Sequence, residues 1–462
     1  METKLDFLGL CQKWGWSIQR KPTEILPGSL PLLRKHLRDI VRAGIVGASA
    51  QTLTVRALEN PAIRGMLDGR SLTLVAAGKA ATPMASTFLR LGPWDVRGGL
   101  VAGPEDSTRT ETLEWYGAGH PLPNGASIAA GRRALELASC VDVDGVLLVL
   151  LSGGASATLA APLASLTLTD KVETTRTLLK AGVAIDGINC VRKHLSAIKG
   201  GRLAAATKGS VVTLAISDVV GKVSDDPAVI GSGPTVGDPT SFEEAVSVIE
   251  DLPKGFEISA AAHAVLEQGR RGEISETPKP GDLNLLRSQT HIIGNRLDAV
   301  RGVRTAAEAL GYAVATIDVP VIGDARTAAR DHVAAVATRV REMARPACIV
   351  SAGETTVQVT GSGQGGRNQE FALAAVSELA ARFDLAVLAS VGTDGVDGPT
   401  DAAGAMADVT TEARSLAAGL PAIERYLQAN DSYNFFAALG DLIYLGSTDT
   451  NVGDLQVVLI GS

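Results

Sequence analysis

Cysteine is scarce. The four in 462 residues, Cys11, Cys140, Cys190 and Cys348, form no CxxC pair and no closely spaced set. That excludes a secreted disulfide framework and fits a reducing cytoplasm. No apolar run approaches the roughly 18 to 20 residues of a bilayer-spanning helix, so no membrane is expected. The N-terminal stretch METKLDFLGLCQKWGWSIQRKP lacks the unbroken apolar core and small-residue cleavage site of a signal peptide. A partner-contacting arm and a poorly packed extension are both open there. Basic excess is missing too: the net charge is −7, which leaves no electrostatic footprint for nucleic acid. The chain also has no GxxxxGK[ST] phosphate loop, no GxSxG elbow and no EF-hand spacing.

What is present describes an ordinary globular protein, 45% apolar and 20% charged, with too many residues for one core. Short apolar runs read as buried strands: 71–77 (SLTLVAA), 145–151 (GVLLVLL), 210–216 (SVVTLAI), 347–350 (ACIV) and 385–391 (LAVLASV). Helical patterns alternate with them, which argues an α/β chain with a parallel sheet and loops gathered along one edge. Between Thr235 and Asn284 the sequence is rich in breakers, and the domain boundary is placed there. The expectation is a Rossmann-like domain over 1–240 and a second α/β domain over 241–462. The tail, about 432–462, is free to pack back on the first.

Chemistry concentrates where these strands end. The run 392–405 (GTDGVDGPTDAAGA) interleaves Asp394, Asp397 and Asp401 with glycines that let the backbone turn tightly. Convergent carboxylates suit a hard cation such as magnesium; an unremarkable Asp/Gly turn is the bland alternative. Gly78-Lys79 puts an ammonium between a strand and a helix, where anions are favoured. Ser152, Gly153, Gly154 and Ser156 follow the most apolar strand, and their amides could cradle an anion. Arg192 and Lys199 lie seven apart and share a face if one helix holds both, which suits an acidic substrate or a solvated basic face. Asp218 ends another strand, and Ser232-Gly233 form a small-residue turn. Small residues from Gly361 to Gly366, among them Gly365 and Gly366, precede Arg367 at a helix start, a candidate phosphate cradle or a flexible loop. His120 has no visible partner and reads as structural.

Ten motifs in order carry a resemblance. They are GKAA at 78–81, GHPLPN at 119–124, LSGGASA at 151–157, NCVRKHLSAIKGGRLA at 189–204, ISDVVG at 216–221 and GSGPTVGDP at 231–239. The second half adds GETTV at 353–357, GGRNQE at 365–370, the run at 392–405 and TNVGDL at 450–455. Together they resemble the D-glycerate 2-kinase family, whose C-terminal part is called the MOFRL domain. The resemblance covers nearly the whole chain from about Leu72.

The resemblance implies two α/β domains with the active site in the cleft between them. It also implies transfer of a phosphoryl group from ATP to the 2-hydroxyl of D-glycerate, with Lys79 and Arg367 catalytic. On a physical division of labour rather than the resemblance itself, magnesium (Mg2+) would sit on one or more of Asp218, Asp394 and Asp397, with Glu354 also open. Substrate and phosphates would meet Ser152, Gly153, Gly154, Ser156, Arg192, Lys199, Ser232, Gly233, Glu354, Gly365, Gly366 and Asn451. The partner is then a small hydroxy acid, with a homodimer open. The pattern departs from the family at Asn124, at Lys222-Val223-Ser224, and at 446–454, where Asp449 stands in place of glycine. Two other readings are a kinase for a related hydroxy acid and a nicotinamide-dependent hydroxypyruvate reductase. The reductase needs a GxGxxG turn directly after a strand with an acid about 20 residues on; SGGASA lacks that spacing, whereas GSGQGG at 361–366 has the glycines.

Overall fold

The computed structural model describes residues 29–104, 113–163, 165–220 and 223–462. Most of the N-terminal extension lies outside the described residues. The first sheet contains β1 (Ser71–Ala77), β2 (Asp95–Gly103), β3 (Glu114–Gly117), β4 (Val146–Leu151), β5 (Ser210–Ile216) and β6 (Ser288–Gly294). Its order is β3-β2-β1-β4-β5-β6 with every pairing parallel. A parallel sheet covered on both faces needs apolar residues at every position, and all six residues of β4 are buried. The strand order reverses between β1 and β4, so a crevice opens at their carboxyl ends. Lys79 and the 152–156 turn leave the sheet at that point.

The second sheet contains β7 (Ala313–Asp324), β8 (Ala347–Thr356), β9 (Ala386–Gly392), β10 (Gly404–Asp408), β11 (Leu442–Ile443) and β12 (Asp454–Ile460), in the order β11-β10-β9-β12-β8-β7. Antiparallel β12 lies between β8 and β9, which therefore run the same way. Their ends flank the start of β12, gathering Glu354, Asp394 and Asp454 at one edge.

The sheets divide the chain elsewhere than at the expected residue 240. Strand β6, at 288–294, completes the first sheet, because its ladder partner is β5. The tail does not join the first sheet either: β12 is an inner strand of the second. The loop before it reaches across, where the Thr450 hydroxyl donates to the Ala48 carbonyl at 2.6 Å. The helix Leu30–Gly47 reaches the other way. Its Leu33, Leu37 and Ile40 share one buried cluster with Val303, Leu455 and Val457, so a single core joins the two sheets.

Candidate active site

The two turns at the switch point are tied to each other. The Lys79 N–H donates to the Gly153 carbonyl at 2.8 Å, and the Ala80 N–H to the Ser152 hydroxyl at 3.0 Å. Ser152 is fully buried, so it holds the turn rather than facing a ligand as expected. Gly154 has φ +86°, and a Cβ there would lie 2.8 Å from His120 Cδ2 and 3.4 Å from Lys79 Cγ. Glycine serves both the backbone and the close approach. It also brings His120 into the crevice, where burial and then Lys79 lower its pKa.

Side chains from the two halves meet here. Lys79 Nζ donates to Asp394 Oδ2 at 2.7 Å, and Asn451 Nδ2 to Asp218 Oδ2 at 3.1 Å. Gly153 packs against both Asp218 and Asn451. A cavity of about 510 Å³ opens beside the first contact, lined in part by Lys79, His120, Asp394, Ser447, Asp449 and Thr450. Burial pushes Asp218 up to about 6, assisted by the charge of Glu354 and opposed by Lys79.

Two residues beyond Gly154, Ser156 anchors a group of cations. Arg192 donates to its hydroxyl, Lys199 Nζ donates to the same oxygen at 2.8 Å and to the Ser156 carbonyl at 3.0 Å, and Ser232 Oγ lies 3.1 Å away. One continuous helix does not bring Arg192 and Lys199 together, because the helix Ile185–His194 ends before Lys199. The turn Ser232-Gly233 does so instead: Gly200 N–H donates to the Ser232 carbonyl and Gly201 N–H to that of Gly233. Lys171, overlooked in the sequence, is buried on the helix Leu168–Lys180. Its ammonium has no hydrogen-bond partner among the described residues, and burial, then Arg192, pushes its pKa down to about 7. Lys193 pairs with Asp238 at 3.2 Å. Lys171, Arg192 and Lys199 have no carboxylate partner among the described residues. Uncompensated charge in a recess favours an anion.

Arg367 opens the helix Arg367–Arg382 in a corner of the second sheet. Its Nε donates to Asp454 at 3.0 Å and its Nη1 to Glu354 at 3.0 Å. It stands one carboxylate away from the Lys79 cavity rather than in its lining: Glu354 feels Arg367 and, more weakly, Lys79. Burial raises the Glu354 pKa, and Arg367 opposes that rise.

The glycine-rich run before Arg367 is not an open cradle. Gly361 N–H donates to Asn430, Gly363 N–H to the Ala429 carbonyl and Gln364 N–H to Asp431. Gly365 packs against Ser432, and Gly366 against Asp397. The Asp397 carboxylate accepts from the N–H groups of Asn368 at 3.0 Å and Gln369 at 2.8 Å. An internal anion thus fills the positive end of this helix.

Asp397 is therefore a buried cap, apart from the metal role expected of it. Among the described residues no group of three or more His, Cys, Asp or Glu is arranged to hold a metal. Asp218 and Asp394 remain, recessed at the crevice beside Lys79. Magnesium takes one or two protein carboxylates and completes its shell with water and substrate phosphates, so that pair fits the ion.

Two family descriptions match the chain: a domain of unknown function, DUF4147, over residues 36–267, and the MOFRL family over 347–454. A D-glycerate 2-kinase of Thermotoga maritima is 39% identical over 399 residues, covering 84% of this chain and 90% of that protein. The chain belongs to the glycerate 2-kinase family.

The crystal structure of a glycerate kinase from T. maritima superposes with a TM-score of 0.81 at 35% identity, covering 93% of this chain and 100% of that one. A relative from Agrobacterium vitis, 37% identical over 437 residues, covers 93% of this chain and 94% of itself; it bears a provisional hydroxypyruvate reductase name. In this glycerate 2-kinase family member, Lys171 and Asp454 escaped the sequence reading, and His120 was read there as structural. A GHP turn before a helix signalled His120. Nothing local signalled Lys171, whose cationic neighbours Arg192 and Lys199 lie later in the chain, and the first residue of a buried strand hardly marks Asp454.

Proposed function

We propose that the protein transfers the γ-phosphoryl group of ATP to the 2-hydroxyl of D-glycerate, releasing ADP and 2-phosphoglycerate. The Lys79–Asp394 contact across the crevice carries this reading: a cation and an acid from opposite sheets meet where a nucleotide and a small acid could be brought together. The acceptor oxygen forms the new P–O bond, the bond to the β-phosphate breaks, and the hydroxyl proton leaves to a neighbouring base. Such a reaction needs positioning and charge neutralisation more than covalent help. Lys79 would exchange Asp394 for the phosphoryl oxygens. Arg367, fixed by Asp454 and Glu354, would present its Nη2 toward the same charge. The recess of Lys171, Arg192, Lys199 and Ser156 would take the acceptor's carboxylate. Asp218 and Asp394 would hold magnesium, which supplies further neutralisation of phosphate charge.

We place the enzyme in the cytoplasm, a location supported by free Cys140, Cys190 and Cys348. No helix among the described residues is long and apolar enough to cross a membrane. A competing hydroxypyruvate reductase reading finds no dinucleotide turn after β1, where Gly78-Lys79 leads into a helix. The test is ADP release with D-glycerate, L-glycerate and other 2-hydroxy acids, with added enolase to distinguish 2- from 3-phosphoglycerate. Enolase-competent product formed only with D-glycerate is expected. Oxidation of NADH by hydroxypyruvate without ATP turnover would overturn the reading.

A further inference from the structure

Beside the crevice lies a second cavity of about 490 Å³, between the helix Leu30–Gly47, the start of the helix Ala50–Glu59 and the loop 444–449. We propose that it receives the nucleoside of ATP, with Tyr444 against the base and Asp449 on the ribose hydroxyls. The inference rests on the kinase reading above and assigns the nucleotide half of that site.

Its size, lining and connection to the crevice support it. The volume falls within the roughly 300–1,000 Å³ of small-molecule sites. Ile45, Val46, Pro83 and Leu445 supply apolar walls, and Ser49 and Gln51 add polar groups, the mixture a purine needs. Ser447 and Asp449 line both cavities, so a ligand seated here can extend its phosphates toward Lys79. The connecting loop is also held in a set shape. Thr448 donates to the Thr393 carbonyl at 2.6 Å and Thr450 to the Ala48 carbonyl at 2.6 Å. Asp449, between these pins, has φ +54°, a left-handed conformation that glycine takes freely and aspartate more readily than most residues. The Asp449 carboxylate, whose Oδ1 also accepts from the Ser447 hydroxyl at 3.3 Å, has lone pairs enough to receive a vicinal diol as acidic residues do in dinucleotide sites. Tyr444 is 52% exposed at this wall, an aromatic face available for stacking on a base.

The hydroxy acid is a poorer occupant. The cavity is much larger than a three-carbon acid, and Asp449 would repel its carboxylate, while the Lys171–Arg192–Lys199 recess attracts it. Arg42, also in the lining, adds a cation on the nucleotide side.

The experiment compares the parent protein with Asp449→Gly, Asp449→Ala and Val46→Trp, each checked for folding by circular dichroism. Asp449→Gly suits the left-handed position, so loss of fold does not confuse its result. Calorimetry with ADP and inorganic triphosphate reads binding directly; steady-state rates with ATP and 2′,3′-dideoxy-ATP read the ribose contact. Val46→Trp should weaken ADP binding and raise the ATP KM about tenfold or more by filling the cavity, with triphosphate binding and the D-glycerate KM unchanged. The parent should prefer ATP to the dideoxy analogue, and both Asp449 variants should lose that preference. Unchanged ADP binding in Val46→Trp, or undiminished ribose discrimination in Asp449→Gly, would overturn the assignment. ADP binding that depends on these residues in a protein inactive on every hydroxy acid would uphold the cavity and sink the acceptor reading alone.

Discussion

Lys79 and Arg367 differ in how tightly the fold holds them, which separates their expected phenotypes. Lys79 is 27% exposed and, among the described residues, has one ion-pair partner, Asp394, itself partly exposed. Lys79→Ala should lower kcat by ~10²-fold or more in an ADP-release assay, with little change in melting temperature. Arg367→Ala should lose as much activity and also stability, because Asp454 is fully buried and would lose its cation. Equal stability of the two variants in urea titrations would contradict this division.

Lys171 gives a pH signature. The folded group titrates near 7, far below the ordinary lysine value of 10.5. Between those values the unfolded chain keeps a proton that the folded protein has shed, so stability rises with pH across the window. Below about 7 both states are protonated, and the cost of burial is constant. Lys171→Met should flatten stability against pH from 7 to 10. An equal slope in both proteins would show that another group causes it.

At the scale of elements, strand ends were legible and loop interiors less so. The apolar runs at 71–77, 145–151 and 210–216 announced β1, β4 and β5, because a buried parallel strand tolerates little else. The residues leaving them, Lys79 and Asp218, followed directly. The 392–405 run misled at Asp397 and the 361–366 run at its amides for one reason: which donors a loop spends on its own fold depends on distant partners, here Asn430, Asp431 and the helix Arg367–Arg382. His120 read as structural for a similar reason, since its setting comes from distant Gly154. The cap is testable. Asp397→Ala should cost about 1–3 kcal/mol in denaturant unfolding, the penalty for orphaning buried N–H donors. A metal seat at 397 would instead raise the magnesium requirement without destabilising the protein.

For the whole molecule, the placement of β6 and β12 was hidden because pairing partners are chosen in three dimensions, and breaker-rich sequence marked a loop within the first half rather than its edge. The shared core has an energetic consequence. Leu37 is fully buried in the cluster that also contains Leu455 and Val457. Leu37→Ala should destabilise by about 2–5 kcal/mol, the usual range for such a deletion. Calorimetry should show one transition shifting as a unit; a split into two would mean that the sheets unfold independently.

The helix Leu30–Gly47 belongs to one half by sequence and to the other by contact, so backbone scission need not mean separation. A chain nicked between β6 and β7 would leave its leading fragment holding one wall of the trailing fragment's interior. The severed pieces should stay associated and co-elute until a denaturant pulls that wall away.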